Sequence, residues 1–280
     1  MKLDDGQDSY ILGNSDEEHE RLIRQAKRLA PVTENFFREA GIGPGQRALD
    51  IGSGVGDVAM LAARIVGPSG EVVAIERDAR SVNRASARAA DAGLQNVTFV
   101  ETNIAHFSSD SVFDALVGRY ILQFLSDPVA TLRFLAGNVR PGGIIAFQEA
   151  SFAPFLVLSK HLPLWSASVS LLHEAAVRYG VNVEMGPALH KAFQDAGLPK
   201  PNMRLVMELG HDPEFIQLLS DAVMSGLCPH AEKLNLSLEE LGDLSTLQRR
   251  LEDEVASSNT VVPWIALVGA WCRTPQIEQR

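Results

Sequence analysis

Residues 48–57 read Ala-Leu-Asp-Ile-Gly-Ser-Gly-Val-Gly-Asp. An apolar run ends here in three closely spaced glycines, Gly52, Gly54 and Gly56, and a segment of helical period follows directly. Glycines allow a tight turn and let a ligand approach the backbone. The succession of strand, glycine turn and helix is typical of the first unit of a nucleotide-binding α/β fold.

The same alternation continues along the chain. Short runs rich in branched apolar residues are separated by segments of helical period, which predicts crossover units on a parallel sheet. The expected strands are Arg47–Ile51, Glu71–Glu76, Val97–Glu101, Val112–Val117, Ile144–Glu149, Met203–Leu209 and Thr260–Trp271. The expected helices are Asp16–Ala40, Gly56–Val66, Ala79–Ala92, Pro128–Val139, Asp212–Cys228 and Ser237–Ser257. The predicted fold class is α/β, a Rossmann-like doubly wound sheet of seven mostly parallel strands.

Four regions are expected within the 280 residues. Residues 1–44 form an N-terminal helical arm and residues 45–152 the ligand-binding core. Residues 153–198 form a helical cap inserted after the fifth strand, because this stretch is too long for a plain loop and rich in Leu, Ala, Trp and His. Residues 199–280 complete the sheet with two helices.

Composition excludes several classes of function. With 25 basic and 35 acidic side chains the formal net charge is −10, which disfavours a nucleic-acid partner. The basic stripe Arg80, Arg84 and Arg88 is interpreted as a solvated helix face. Cys228 and Cys272 are too few for a disulfide framework, and no metal site is expected. The absence of a signal-like start and of a long apolar run predicts a cytoplasmic protein without membrane contact.

The glycine spacing separates three kinds of nucleotide site. A phosphate-binding P-loop needs Gly-Lys-Ser/Thr, which the stretch lacks. A dinucleotide site has G-x-G-x-x-G, whereas here the third glycine falls one place early and Asp57 takes the sixth position. A pyrophosphate would meet that carboxylate and the one on Asp50, whereas a cationic ligand would be attracted to both. Glu76 ends the second expected strand, where a carboxylate can accept hydrogen bonds from ribose hydroxyls.

These motifs together resemble the class I S-adenosylmethionine-dependent methyltransferases over about residues 45–150. The matching segments are Leu49–Gly56 as motif I, Glu76 as the acidic residue after strand two, Asn103 and Ile104 after strand three, Val112–Val117 at strand four, and the Arg140–Gly143 turn. Outside this core, the segments Tyr10–Gly13, Arg21 to Gln25 and Gly269–Arg273 are similar to bacterial small-molecule methyltransferases of the quinone-biosynthesis type.

The resemblance implies a set of site residues. The residues expected to bind the cofactor are Tyr10, Gln25, Asp50, Gly52, Ser53, Gly54, Gly56, Glu76, Arg77, Asn103, Ile104 and Arg119. Asn103 departs from the family's usual Asp, although its amide oxygen can still accept a hydrogen bond from an adenine amino group. Glu149, at the end of the fifth expected strand, and His173, in the cap, are the candidates for a catalytic base.

The expected function is in-line methyl transfer from S-adenosylmethionine to oxygen, nitrogen or carbon of a small, partly apolar metabolite, by a monomer or homodimer. Two other classes stay open. A nicotinamide-dependent oxidoreductase is disfavoured by the glycine spacing. A protein that binds the cofactor without transferring a methyl group would share every motif above. An RNA methyltransferase would be expected to add a basic patch.

Overall fold

The computed structural model describes residues 15–276. Its helices are α1 (Asp16–Ala40), α2 (Asp57–Val66), α3 (Ala79–Asp91), α4 (Pro128–Ala136), α5 (Ala153–Leu158), α6 (Pro163–Arg178), α7 (Met185–Asp195), α8 (Pro213–Asp221) and α9 (Leu247–Ser257). Its strands are β1 (Arg47–Ile51), β2 (Glu71–Glu76), β3 (Val97–Glu101), β4 (Phe113–Arg119), β5 (Val139–Ser151), β6 (Asn202–Val206), β7 (Leu209–Gly210), β8 (Val262–Pro263) and β9 (Ala266–Arg273).

Seven strands form one sheet in the order β3-β2-β1-β4-β5-β9-β6. The five strands from β3 to β5 in that order are parallel, and β9 runs antiparallel between β5 and β6. Chain order reverses between β1 and β4, which opens a crevice at the carboxyl ends of these strands. The predicted α/β fold, doubly wound around a mostly parallel seven-stranded sheet, is confirmed.

Helices cover both faces of this sheet, which explains why its central strands are apolar throughout. On one face, Phe37 of α1 and residues of α2 pack against Ala48 and Val117. On the other face, Leu132 of α4 and Phe193 of α7 belong to a second apolar cluster. A one-residue change of strand register would move each apolar side chain to the opposite face of the sheet and out of its cluster. Packing in the two clusters therefore fixes the register of the strands.

Element boundaries around β4 and β5 differ from the sequence prediction. Helix α4 ends at Ala136 rather than Val139, and β5 starts at Val139 rather than Ile144. The turn Arg140–Gly143 is absorbed into an irregularity of the ladder, since the pairing shifts between Phe113 and Ala115 of β4. The main chain of this turn bonds to Thr274 beyond β9, so a segment distant in sequence stabilises it.

The predicted helices over 212–228 and 237–257 are interrupted. Helix α8 passes into a wider π-helical turn at Ala222–Leu227, and π turns of this kind are frequent at functional sites. Gly242, with φ of 63°, ends the 3-10 turn Glu239–Leu241, and a second 3-10 turn, Leu244–Thr246, leads into α9. The last expected strand, Thr260–Trp271, is split into β8, which pairs with β7 in a separate two-stranded sheet, and β9, which joins the seven-stranded sheet.

A third apolar cluster forms a helical cap beyond the carboxyl ends of the strands. It joins α5 and α6 with α8, the π turn, α9 and Trp264. The cap therefore combines a segment after β5 with one after β7. Helix α7, which the prediction placed inside the cap, packs instead on the sheet through Leu189 and Phe193. Its apolar face matches the strand surface of β5 and β9, which it contacts.

Candidate functional site

A cavity of about 560 Å³ lies at the carboxyl ends of β1, β2 and β4, between the sheet, the first half of α1 and the cap. One part, which we call the cofactor half, is lined by residues 50, 52–55, 76–78, 102–105 and 119. The other part, the acceptor half, is lined by residues 120, 121 and 123–125 and by cap residues, among them Phe152, Leu172, Ala175, Leu227 and Trp264. The site thus joins the glycine turn to an apolar chamber.

The glycine turn has a backbone that other residues rarely adopt. Gly52, Gly54 and Gly56 have φ of 62°, 51° and 90°. A Cβ on Gly52 would lie 2.4 Å from Ile121 Cδ1, and one on Gly56 would lie 2.9 Å from Ala85 Cβ. A Cβ on Gly54 would meet no atom of the described chain within 4 Å, because this glycine faces the cavity. Gly52 and Gly56 therefore allow packing, whereas Gly54 leaves room for a ligand.

Two buried polar atoms beside this turn have no hydrogen-bond partner within residues 15–276. They are Asp50 Oδ2 and Ser53 Oγ, on residues that line the cavity. Burial raises the pKa of Asp50 well above its usual range, and the nearby charge of Arg119 opposes that shift. Since buried polar groups are normally satisfied, these atoms fit a ligand with hydrogen-bond donors, such as the ammonium group of an amino acid. The residues present therefore fit S-adenosylmethionine.

Glu76 holds the glycine turn and the start of α3 together. Its Oε2 accepts a hydrogen bond from the Gly54 amide at 2.9 Å. Its Oε1 accepts from the amides of Arg77 and Asp78 at 2.8 and 3.1 Å. A carboxylate has about four lone-pair sites, so about one is left to accept from a ribose hydroxyl while the other three fix the turn. Arg77 lines the cavity beside it.

Asn103 and Ile104 line the same half of the cavity, as expected. Asn103 Oδ1 accepts a hydrogen bond from the Ala105 amide at 2.9 Å and caps the 3-10 turn Ile104–His106. One lone pair of that oxygen is therefore used by the chain itself. Where the family's Asp has a second carboxylate oxygen, Asn103 has an NH2 group. This NH2 group can donate a hydrogen bond to a ring nitrogen of adenine.

Arg119 and Gln25 both line the cavity. Arg119 Nη1 donates to Thr33 Oγ1 of α1 at 2.9 Å, so it links β4 to the arm. Gln25 Oε1 accepts from Arg21 Nη1 at 2.8 Å. Arg21 also forms a two-point ion pair with the fully buried Glu18, at 2.6 and 2.7 Å. The N-terminal prediction Tyr10 lies outside the described residues.

Glu149 is not brought to the cavity surface. It is fully buried, and its Oε1 accepts hydrogen bonds from the amides of Ile121 and Leu122 at 3.1 and 2.8 Å. Its Oε2 accepts from the Gln123 amide at 3.3 Å. Burial raises the pKa of Glu149 to about 8, against the lowering effect of these three amides. These contacts favour a positioning role over the catalytic role expected from sequence.

His173 lies on α6 next to cavity residues without lining the cavity itself. Its ring packs against Phe152, with centroids 5.7 Å apart. The same helix presents Leu172, Ala175 and Ala176 to the cavity. Neighbouring positions on a helix point in different directions, so an inward Leu172 turns His173 towards the surrounding packing. The geometry does not place this imidazole where an acceptor would bind.

Three residues of the acceptor half were missed by the sequence analysis. Tyr120, Gln123 and Trp264 line the cavity, and each carries a buried polar atom without a partner in the described chain. Tyr120 also has φ of 56°, a strained value for a residue with a Cβ. The position of Tyr120 directly after β4 was the one available signal. Trp264 comes from a segment interpreted as a strand, so its sequence context concealed it.

The basic stripe on α3 proves to be committed to ion pairs. Arg80 pairs with Asp16 at 3.2 Å, Arg84 pairs with Glu20, and Arg88 pairs with Asp57 at 2.7 Å. The first two pairs fasten α1 beside the cofactor half, where His19 Nε2 also contacts Ser81 Oγ at 3.2 Å. The ion pair with Arg88 neutralises Asp57. The predicted attraction of a cationic ligand to two carboxylates therefore rests mainly on Asp50.

No group of three or more His, Cys, Asp or Glu side chains within residues 15–276 is arranged to hold a metal ion. No helix in that range is both long and apolar enough to cross a membrane.

Comparison with known proteins gives relatives for the core. The profile of the family described as methyltransferase domain matches residues 42–197, more than half of the chain. The ubiquinone/menaquinone biosynthesis C-methyltransferase UbiE of Vibrio vulnificus is 32% identical over 123 residues, which are 43% of this chain and 47% of that protein. Its counterpart in Pseudomonas paraeruginosa is 30% identical over 132 residues, 46% and 52% of the two chains. The chain thus spans about half the length of the curated relatives it matches.

Solved structures extend the likeness of the fold to the cap. A Bacillus halodurans candidate methyltransferase has a TM-score of 0.58 at 16% identity, covering 87% of this chain and 99% of the other. The phosphoethanolamine N-methyltransferase 2 of Haemonchus contortus, solved with S-adenosylhomocysteine, has a TM-score of 0.54 at 15% identity, covering 88% and 53%. The [4+2]-cyclase SpnF has a TM-score of 0.52 at 18% identity, covering 89% and 82%.

A cyclase among these neighbours means that the fold by itself does not decide the reaction. The family match is independent of that likeness, since it rests on sequence across the glycine turn, the strand ends and α7. The glycine motif, the strand order of the sheet and the family profile all indicate the same family. The chain therefore belongs to the methyltransferase-domain family, in the S-adenosylmethionine-dependent class.

Proposed function

We propose that this protein transfers a methyl group from S-adenosylmethionine to a small, partly apolar organic acceptor. The observation that carries the proposal is the cradle at the glycine turn. Gly54 opens onto the cavity, and Asp50 Oδ2 and Ser53 Oγ lie buried without partners in the described chain. The Glu76 carboxylate lies beside them and can accept a further hydrogen bond. The continuous apolar half supplies a place for the acceptor.

The chain's own part in the reaction is to bind, align and exclude water. When bound, S-adenosylmethionine supplies a methyl group already activated on a sulfonium. The acceptor would give an electron pair to the methyl carbon as the carbon–sulfur bond breaks, with the electrons of that bond going to sulfur and any acceptor proton passing to bulk solvent. Alignment of the two reactants by the strand ends and the cap is worth several orders of magnitude in rate.

Titration calorimetry on a matched pair of glycine variants tests the cofactor site. Gly54 and Gly93 both have positive φ and no described atom within 4 Å of an added Cβ, but only Gly54 lines the cavity. Each change to Ala costs about 1 kcal/mol of backbone strain. We expect Gly54→Ala to weaken S-adenosylmethionine binding about tenfold or more, and Gly93→Ala to leave it unchanged.

Titrations with S-adenosylhomocysteine and NAD complete that experiment. We expect micromolar binding of S-adenosylhomocysteine and none of NAD, because the turn lacks the G-x-G-x-x-G spacing that seats a pyrophosphate at a helix N-terminus. Preference for NAD, or equal affinities of the two glycine variants for S-adenosylmethionine, would refute the proposed cofactor site. Binding of the cofactor without methyl transfer to any acceptor would instead favour the non-catalytic alternative.

A further inference from the structure

Three residues that line the acceptor half each carry a buried polar atom that the described chain leaves without a hydrogen bond. Tyr120 Oη, Gln123 Oε1 and Trp264 Nε1 are each buried, and their residues line the cavity. The remaining surface of this half is mostly apolar, with side chains such as Phe124, Leu125, Phe152 and Leu172. Buried polar groups in native proteins are normally satisfied, so each unpartnered atom needs an explanation.

Main-chain hydrogen bonds hold these three residues in place. The Tyr120 amide donates to Gln148 O at 2.9 Å, and the Trp264 amide donates to Glu208 O at 2.9 Å. The Gln123 amide donates to Glu149 at 3.3 Å, while Gln123 O accepts from Asn182 at 3.0 Å. The backbone at these residues therefore does not have to be ordered when a ligand arrives, which contributes to preorganisation of the site.

The three atoms form a defined donor and acceptor pattern. A tyrosine hydroxyl and an indole N–H can both donate, whereas an amide oxygen accepts. Burial raises the pKa of Tyr120 above its usual range, which keeps its hydroxyl protonated and able to donate. A matching ligand therefore carries an oxygen with free lone pairs and, separately, an O–H or N–H group.

The charged side chains beside the acceptor half are engaged within the chain. Arg21 of α1 is paired at 2.6 and 2.7 Å with the carboxylate of Glu18, and Asp127 Oδ1 accepts a hydrogen bond from the Ala130 amide at 2.8 Å. A charged phosphate or quaternary amine group would therefore enter a largely apolar chamber whose charged neighbours are already engaged, at a high desolvation cost.

We propose that Tyr120, Gln123 and Trp264 select the methyl acceptor, and that this acceptor is an uncharged molecule with an apolar body, an oxygen acceptor group and a separate O–H or N–H donor. The inference rests on the proposed function, because it treats the apolar half as the acceptor site. In this assignment Trp264 and Tyr120 donate to the acceptor's oxygen, and Gln123 accepts from its donor group.

The chain provides matched controls for two of these residues. Trp165, like Trp264, is a buried tryptophan of the cap cluster with an unpartnered Nε1, but it does not line the cavity. Gln148, like Gln123, is a buried glutamine with an unpartnered Oε1 away from the cavity lining. Each control removes the same chemical group from a similar environment.

Nitrogen-15 NMR of the indole groups reads out acceptor binding directly. The chain has 3 tryptophans, so the full-length protein gives three indole N–H signals, which Trp→Phe variants assign. The protein is saturated with S-adenosylhomocysteine and titrated with 4-hydroxyacetophenone and 4-hydroxy-2-butanone, which carry a carbonyl and a hydroxyl, and with phosphoethanolamine, which is charged. We expect at least one hydroxyketone to shift the Trp264 signal saturably, with the Trp165 signal unmoved.

The variants then test the recognition pattern. We expect Gln123→Met and Trp264→Phe to weaken hydroxyketone binding at least about fivefold, and Gln148→Met and Trp165→Phe to change it less than twofold. No shift of the Trp264 signal with either hydroxyketone, tighter binding of phosphoethanolamine, or equal effects of site and control variants would overturn the proposal. Calorimetry with S-adenosylhomocysteine distinguishes failure of this proposal from failure of the proposed function. If the wild-type protein does not bind S-adenosylhomocysteine, the proposed function itself is refuted.

Discussion

A Glu76→Ala variant is expected to bind S-adenosylmethionine at least about 30-fold more weakly than the wild-type protein. Hydrogen bonds to a charged group contribute about 1.5–3 kcal/mol each, and about 2 kcal/mol corresponds to a 30-fold change in affinity. The variant would lose the acceptor for a ribose hydroxyl. It would also leave the Gly54, Arg77 and Asp78 amides without the carboxylate that fixes them.

Glu71→Ala is the matched control, because Glu71 begins the strand that Glu76 ends. Its carboxylate pairs with Arg47 at 2.7 Å and is half exposed, so its loss costs at most about 1 kcal/mol of stability. We expect this variant to keep the wild-type affinity for the cofactor in calorimetry. Equal affinities for the Glu71 and Glu76 variants would remove Glu76 from the cofactor site. Glu76→Gln should fall between them, since the amide keeps one acceptor oxygen.

A Glu149→Ala variant is expected to lose about 3–5 kcal/mol of the free energy of unfolding. The change leaves three buried amides, on Ile121, Leu122 and Gln123, without their acceptor. Each unsatisfied buried group costs about 1–3 kcal/mol, and partial relaxation reduces the sum. Because these residues line or support the acceptor half, the variant should also bind acceptor poorly. Chemical denaturation and acceptor titration measure the two effects.

Glu254→Ala is the control for capping of amides by a carboxylate. Glu254 accepts hydrogen bonds from the amides of Leu164 and Trp165 at 2.7 and 2.9 Å, at the start of α6 and away from the cavity lining. We expect this variant to lose about 1–2 kcal/mol of stability without a change in acceptor affinity. If Glu149→Gln folded normally and bound acceptor normally, but lost kcat by 100-fold or more, Glu149 would be the base expected from sequence.

The pH dependence of stability carries a distinct signature of Glu149. Burial raises its pKa from 4.5 to about 8, so the folded state favours the protonated form. Its contribution to stability is complete below pH 4.5 and is lost as the pH rises through 8. The free energy of unfolding of the wild-type protein should therefore fall between pH 5 and 8 relative to Glu149→Gln. Parallel denaturation midpoints for the two proteins across that range would contradict the raised pKa.

The sequence by itself determined the core of this fold. Strand β1, the glycine turn and α2 are adjacent in the chain, and glycines with φ near 50–90° are required wherever a strand turns so sharply into a helix. The first three strands match their predicted bounds. Strands β1 and β2 lie inside the sheet and are apolar on both faces, whereas the edge strand β3 is recognised by its branched apolar residues between polar ones. Most residues expected at the cofactor half lie there because the carboxyl ends of parallel strands meet at one edge of the sheet.

Only the tertiary structure decided the acceptor half. The cap is assembled from segments on either side of β6 and β7, and no periodicity in either segment shows that they pack together. The direction of a side chain depends on those contacts, which turned Glu149 to three amides and His173 to Phe152. The same contacts brought Tyr120 and Trp264, distant in sequence, to one cavity. Local patterns fix backbone conformation, whereas the meeting of distant side chains follows from packing of the whole chain.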